Sequence, residues 1–196
     1  MRYLIVCGGK IDKEFGLNEI KTDGIDAIIA ADSGMDFLYE NGVTPDIIVG
    51  DFDSTTTNAL EYFERKGQTE IRRLNPIKDD TDTEYAIRLA ISEGARSIVL
   101  LGATGSRIDH VLGNISLLGI GMESGTDISI IDTNNRIRMA DKPVTIEKSA
   151  QYGRFVSLIA LTDDNEVSLK GFKYPVTDYS FDRFTSLGIS NEIVDD

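Results

Sequence analysis

Met1-Arg2-Tyr3-Leu4-Ile5-Val6-Cys7-Gly8-Gly9 opens the chain, and its apolar centre runs directly into two glycines. A short run that is continuously apolar, rather than alternating, reads as a strand covered on both faces. It is too short for a signal peptide or a membrane span. The same pattern recurs at residues 27–31, 47–49, 97–101 and 128–131. Helical segments fall between these strands. Residues 33–41, 55–66 and 81–93 each stop at a glycine, namely Gly42, Gly67 and Gly94, as helices commonly do. Thr81-Asp82-Thr83-Glu84 reads as a capping box, and residues 109–118 give a fourth helix. Strand–helix alternation of this kind predicts an α/β domain with a doubly wound, mainly parallel sheet.

The pattern changes after about residue 134. Short strand candidates at 136–139, 144–146, 155–160 and 167–169 are separated by turn-like clusters such as Asp141-Lys142-Pro143 and Asp163-Asp164-Asn165. No helical period is visible there. The expectation is two domains, an α/β domain over 1–134 and a small antiparallel β-sandwich over 135–196.

Composition narrows the function. Of 196 residues 41% are hydrophobic and 27% charged, as in an ordinary globular protein rather than a disordered one. The net charge of −13 repels phosphate backbones and makes nucleic acid a poor partner. A small cation suits it better, and a nucleotide would need a metal or local Lys and Arg groups. Cys7 is the only cysteine, so no intrachain disulfide can form, and a cytoplasmic protein with no membrane contact is expected. Cys7 itself reads as a small buried side chain.

Three acidic motifs fall at predicted strand ends or helix starts, where a doubly wound sheet holds its ligand. They are Ala31-Asp32-Ser33-Gly34, Gly50-Asp51-Phe52-Asp53-Ser54 and Lys78-Asp79-Asp80-Thr81-Asp82. In an extended segment Asp51 and Asp53 face the same way. Adjacent carboxylates repel unless a cation sits between them, and magnesium is suited to that place. Any one of these aspartates also suits a turn or a helix cap; three clusters together favour a site. Gly102-Ala103-Thr104-Gly105-Ser106-Arg107 follows the strand at 97–101 and leads into Ile108-Asp109-His110. Its glycines let backbone approach a phosphate, the next helix offers free amides, and Arg107 can grip phosphate oxygens. His110, the only histidine, either hydrogen-bonds a phosphate or satisfies the helix entrance. The phosphate loop G-x-x-x-x-G-K-[ST] and the dinucleotide G-x-G-x-x-G are both absent.

Taken in order, these motifs resemble the thiamine pyrophosphokinase family, and the resemblance runs across nearly the whole chain. Gly171-Phe172-Lys173-Tyr174-Pro175 and Ser186-Leu187-Gly188-Ile189-Ser190-Asn191-Glu192 are similar to its C-terminal pattern. The resemblance implies a Rossmann-like N-terminal nucleotide domain, a C-terminal β-sandwich and a homodimer with shared sites. It implies ATP as co-substrate, thiamine as acceptor and magnesium as cofactor. By motif position, Asp51, Asp53, Asp79 and Asp82 are expected as metal ligands, with Asp51, Asp53, Asp82 and Arg107 in catalysis. Asp32, Lys78, Asp79, Thr104, Gly105, Arg107, Asp109, His110 and Asn114 are expected around the nucleotide, and Ser190 and Asn191 near thiamine. The family pattern continues into a closing β-hairpin where this sequence runs to Asp196, so a cut-short or differently closed sandwich is expected. With no tryptophan present, an aromatic wall for thiamine would come from Tyr174, Tyr179 or Phe181.

Two other readings stand beside this one. Asp51-Phe52-Asp53-Ser54-Thr55 after an apolar strand resembles the nucleophile loop of haloacid-dehalogenase-like phosphatases, although that loop normally follows the first strand of its domain. A nucleotide sensor without turnover would use the same fold, but gains little from so many carboxylates near phosphate.

Overall fold

The structure is a computed structural model that describes residues 1–52, 58–75, 80–105 and 107–195. Of the candidate site residues, Asp53, Lys78 and Asp79 lie outside the described residues. The chain forms two compact units, Met1–Asp141 and Lys142–Asp196.

The first unit is built on a seven-stranded sheet in the order β4-β3-β2-β1-β5-β6-β7. Its strands are β1 (Arg2–Val6), β2 (Ala27–Ala31), β3 (Ile47–Gly50), β4 (Glu70–Arg73), β5 (Ser97–Leu101), β6 (Asp127–Ile131) and β7 (Arg136–Arg138). The first six are parallel, and β7 runs antiparallel to β6. The strand at 136–138, expected in the second domain, therefore belongs to this sheet. The Asp132–Asn135 turn carries the chain back alongside β6, and the first compact unit runs to Asp141.

Alternate residues of each central strand face opposite layers. Ile5, Ile29, Val49, Leu100 and Ile130 pack with Ala86, Ile87 and Ala90 of α4 (Asp82–Ser92) and with Leu118 of α5 (Ile108–Ser124). Leu4, Val6, Ala30, Ile48 and Val99 pack with Met35 and Leu38 of α2 (Gly34–Glu40) and Phe63 of α3 (Ala59–Lys66). Phe15 of α1 (Lys13–Ile20) joins the second cluster. Burial on both faces is what made the runs read as continuous. Each such Leu, Ile or Phe removed from water stabilises the fold by about 1.5–3 kcal/mol. Gly42, Gly67 and Gly94 have φ of 67°, 63° and 88°, the left-handed conformation that ends a helix at little cost.

The chain steps outward from β1 to β4. It then crosses back over the sheet through α4 to lay β5 on the other side of β1. That reversal puts a topological switch point between β1 and β5, the place where open α/β sheets bind ligands.

The described residues of the second unit form one antiparallel pair, β8 (Asn165–Leu169) with β9 (Val176–Phe181), and two isolated bridges, Val156 with Asn191 and Phe172 with Ile193. The small antiparallel unit is present with fewer regular strands than expected. Residues 144–146 and 155–160 stand outside the regular strands, with Val156 contributing a single bridge. Among the described residues no helix is long and apolar enough to cross a membrane.

Candidate active site

The ends of β1, β2 and β5 are pressed together more tightly than side chains would allow. A Cβ on Gly34 would lie 1.9 Å from the Val6 carbonyl oxygen, so the start of α2 rests directly on the backbone of β1. Across the switch point the Gly9 amide donates to the Gly102 carbonyl at 2.9 Å, where a Cβ on Gly9 would come within 2.3 Å of that same oxygen. In Asp32-Ser33-Gly34 the glycine thus serves packing, and the aspartate is left to serve the site.

Asp32 takes a left-handed backbone (φ 48°), unusual for a residue with a side chain, and its amide donates to the Val49 carbonyl at 2.7 Å. Asp51 follows β3, ahead of Phe52, which is also left-handed (φ 67°). Asp82 is the first residue of α4. Thr81 caps that helix by accepting from the Glu84 amide at 3.2 Å. The expected capping box is half made, because the Glu84 carboxylate accepts instead from Arg88, at 2.7 and 2.9 Å. Thr83 fastens the same turn to the sheet, its hydroxyl lying 3.6 Å from the Cys7 sulfur. Burial pushes the Cys7 thiol up to about 11 against that hydrogen bond, so it is a neutral packing group.

Asp32, Asp51 and Asp82 each offer a carboxylate oxygen within 4.8 Å of the others, and all three are half-buried. Two unit charges at that separation repel by on the order of 3 kcal/mol at an effective dielectric near 20, before other groups are counted. An all-oxygen set of this kind fits a hard divalent cation such as magnesium, which takes one or two carboxylates and keeps several waters. Asp32, expected both in the acidic metal and substrate site and beside the nucleotide, stands in this cluster.

The glycine-rich loop is tied down from two sides. Asn114 of α5 donates to the Ala103 carbonyl at 2.8 Å, and the Thr104 hydroxyl donates to Asp132 at 2.7 Å. Asn114 therefore anchors the loop. At the start of α5, Arg107 makes a two-pronged contact with Asp109 (2.7 and 3.2 Å), which holds the Asp109 carboxyl below its usual range. Asp109 also accepts from the His110 amide at 3.0 Å. Arg107, Asp109 and His110 are all exposed, at the positive end of the helix.

Sequence reasoning missed Asp132. Burial raises its carboxyl pKa, but hydrogen bonds from the Asn134 amide, the Thr104 hydroxyl and Asn135 outweigh that and hold it low. The signal was available: Asp132-Thr133-Asn134-Asn135 is a turn sequence directly after a buried strand. A cavity of about 320 Å³ opens beside this turn, between it and α1. It lies on the far side of β1 from the three aspartates and does not include them.

In the second unit, Asn191 is buried and its carboxamide makes three hydrogen bonds. It accepts from the Tyr174 and Glu192 amides (3.1 and 2.9 Å) and donates to the Tyr174 carbonyl (2.9 Å). Ser190 is exposed and left-handed (φ 61°), with its amide donating to the Ser157 hydroxyl at 3.0 Å.

Residues 21–130 match the family model described as thiamin pyrophosphokinase, catalytic domain, and residues 143–196 match thiamin pyrophosphokinase, vitamin B1 binding domain. The chain is 35% identical over 168 residues to thiamine pyrophosphokinase of Bacillus subtilis (strain 168), an alignment covering 85% of this chain and 78% of that protein. Its fold matches the crystal structure of thiamine pyrophosphokinase from Bacillus subtilis with a TM-score of 0.86 at 33% identity, over 99% of this chain and 90% of that one. The structure of the Geobacillus thermodenitrificans protein of the same name matches at 0.80 and 30%, over 99% and 89%. Two family models in tandem and a close relative over most of its length establish that the chain belongs to the thiamin pyrophosphokinase family.

Proposed function

We propose that this chain transfers a pyrophosphoryl group from ATP to the hydroxyl of thiamine, giving thiamine diphosphate and AMP. The observation that carries the reading is the convergence of Asp32, Asp51 and Asp82 from three separate elements onto one point at the strand ends. Family membership supports the substrates. In this reading Asp32, Asp51 and Asp82 hold magnesium, which supplies charge neutralisation for the polyphosphate. Asp53 and Asp79 extend the acidic set by motif position, and Lys78 adds a cation.

The alcohol oxygen of thiamine attacks the β-phosphorus, and the bond from that phosphorus to the α,β-bridging oxygen breaks. AMP leaves with the electron pair, and the alcohol proton passes to a carboxylate of the cluster. Arg107 exchanges its exposed partner Asp109 for phosphate oxygens and offsets the charge that develops on them. The glycine-rich loop, held by Asn114 and Thr104, keeps the polyphosphate in line, and positioning supplies much of the rate. Thiamine's permanent positive charge suits an acidic site. Ser190 contributes to the thiamine side, with Asn191 holding Tyr174.

The protein works as a homodimer in this reading, supported by the exposed apolar side chains of the second unit, among them Ile159, Tyr174 and Phe184. A cytoplasmic location fits the single reduced cysteine.

The test is incubation with ATP, magnesium and thiamine, followed by mass spectrometry of the products. AMP with thiamine diphosphate is expected. Stoichiometric ADP would make the protein a simple kinase, and orthophosphate with a trapped aspartyl-phosphate would make it a phosphatase. Bound ATP without turnover would make it a sensor.

A further inference from the structure

We propose that Arg73 and Phe52 form a clamp that sets the position of Asp51, which makes Arg73 a positioning residue for a cation held by Asp32, Asp51 and Asp82. The inference rests on the trio holding a divalent cation, as proposed above. It adds a residue outside the acidic motifs that governs how well the trio does so.

The strand register brings the pieces together. β4 is the edge strand of the sheet, and its last residue, Arg73, lies opposite Gly50, the last residue of β3. The Leu74 amide donates to the Gly50 carbonyl at 2.9 Å, so the two strands stay bonded up to the point where the chain leaves for Asp51. Paired residues of neighbouring strands present their side chains on one face, and Gly50 has none to present. The Phe52 ring occupies that space. A Cβ on Gly50 would meet two carbons of the ring at 3.1 and 3.2 Å and the Asp32 Cα at 3.1 Å. The Arg73 guanidinium lies over the same ring, 5.3 Å from its centroid. One stack of contacts thus runs from Asp32 through Gly50 and Phe52 to Arg73 at the sheet edge.

Phe52 needs such a stack. Its φ of 67° is left-handed, which is costly for a bulky residue and persists only where the surroundings fix it. On one side the ring packs against the buried layer that contains Ile48 and Phe63. Arg73 closes the other side and is itself aimed by Glu64 of α3, whose carboxylate accepts from it at 2.6 Å. Contacts of this kind at an exposed edge add little to stability. Their consequence is geometric. The turn at Phe52 decides where the preceding carboxylate stands, and that carboxylate is Asp51. Magnesium tolerates little displacement of its ligands, so a relaxed turn costs affinity before it costs the fold.

Charge and position act with opposite signs here. By Coulomb attraction alone, removing the positive charge of Arg73 from the neighbourhood of the trio should tighten a bound cation. Releasing Asp51 should loosen it. A loss of affinity therefore reports position.

The experiment is titration of the full chain with manganese alone, the free ion being followed by electron paramagnetic resonance. Arg73 is exposed, so its variants should fold, and urea midpoints verify this. Arg73→Gln is expected to raise the Kd by about threefold to tenfold, at the lower end of what is usual for residues that orient metal ligands. Arg73→Lys keeps a cation over the ring and should recover most of that loss. Phe52→Leu keeps an apolar side chain without an aromatic face and should also weaken binding. Adding Arg73→Gln to it should change the Kd by less than about twofold, because Arg73 acts through the ring. The magnesium concentration for half-maximal formation of thiamine diphosphate should rise in step with these values. The proposal is overturned if a folded Arg73→Gln protein binds manganese as tightly as the parent or more tightly. It is equally overturned if Arg73→Lys is as weak as Arg73→Gln, or if the two single losses add in full when combined. A parent that binds no manganese would take the cation away from the trio, and the clamp with it. The expected pattern of affinities without formation of thiamine diphosphate would uphold the clamp while sinking the proposed acceptor.

Discussion

The amide of Asp32 donates to the carbonyl of Val49 at 2.7 Å, continuing the β2–β3 ladder one residue past the last residue of β2. That bond holds Asp32 in its left-handed turn and brings it beside Asp51, two residues beyond Val49. Asp82 then reaches the same point from α4.

In the proposed reaction, replacing one carboxylate of this trio removes charge that would hold the cation. Asp51→Asn, Asp82→Asn and Asp32→Asn are each expected to lower kcat by about a hundredfold or more. Asp82→Asn loses a first-turn charge of α4 worth less than about 1 kcal/mol but relieves the repulsion within the trio, so without a bound cation its stability should not fall. Steady-state rates and urea midpoints measured together separate the two effects. A chelator should abolish turnover and added magnesium restore it. Near-normal rates in all three variants would remove the acidic cluster from the mechanism.

The cap of α4 has its own signature. Thr81→Ala strips the hydroxyl that accepts from the Glu84 amide and should destabilise the first unit by about 1 kcal/mol. Thr81→Ser keeps the acceptor and should recover most of that loss. Thermal denaturation of the three proteins decides it.

Cys7 makes a pH prediction with a definite sign. Its folded pKa, about 11, lies above the ordinary value of 9.0. Below about 9 the thiol is neutral in both states and its contribution to stability is complete. As pH rises toward 11 the unfolded chain ionises first, and that contribution is lost. At pH 8 the native protein should react with a thiol reagent about a hundredfold more slowly than the chain in denaturant. Equal rates would show that Cys7 is accessible.

Asn191 is expected to act on the second unit through Tyr174. Asn191→Ala leaves the Tyr174 amide and carbonyl and the Glu192 amide without their partner, a loss of about 1–3 kcal/mol. Faster proteolysis within residues 142–196, with the first unit intact, is the readout. In the activity assay the KM for thiamine should rise more than the KM for ATP.

The central strands were legible because burial on both faces leaves an uninterrupted apolar run. At the edge of the sheet β4 was not, since Glu70-Ile71-Arg72-Arg73 carries the charges that an exposed edge tolerates. Likewise α1 was missed because Gly16 interrupts a weakly patterned helix, although its Asp12 cap was visible. Gly16 is needed there: a Cβ would meet the Phe37 ring at 2.7 Å. The positions of Asp32 and Asp51 after buried strands and of Asp82 at a helix start were legible, but not the roles of the residues around them. Only the backbone shows that Gly34 serves packing, that Asn114 anchors a loop, and that Asp132 shapes a turn far from the other aspartates in sequence.

The crossover through α4 also sets the order in which the protein can be made. A ribosome that has released only the first 75 residues has supplied β1 to β4, with β1 as one open edge. That strand is buried on both faces in the finished fold, and an unpaired apolar edge of this kind invites pairing with another chain. It is covered only when residues 97–101 emerge, after α4 has passed over the sheet. The segment that ends this exposure also delivers Asp82, so acidic-site assembly and protection from aggregation arrive together. Arrested nascent chains shorter than about 100 residues should bind chaperones and show no cation affinity, and chains released past β5 should gain both properties of the finished unit at one length.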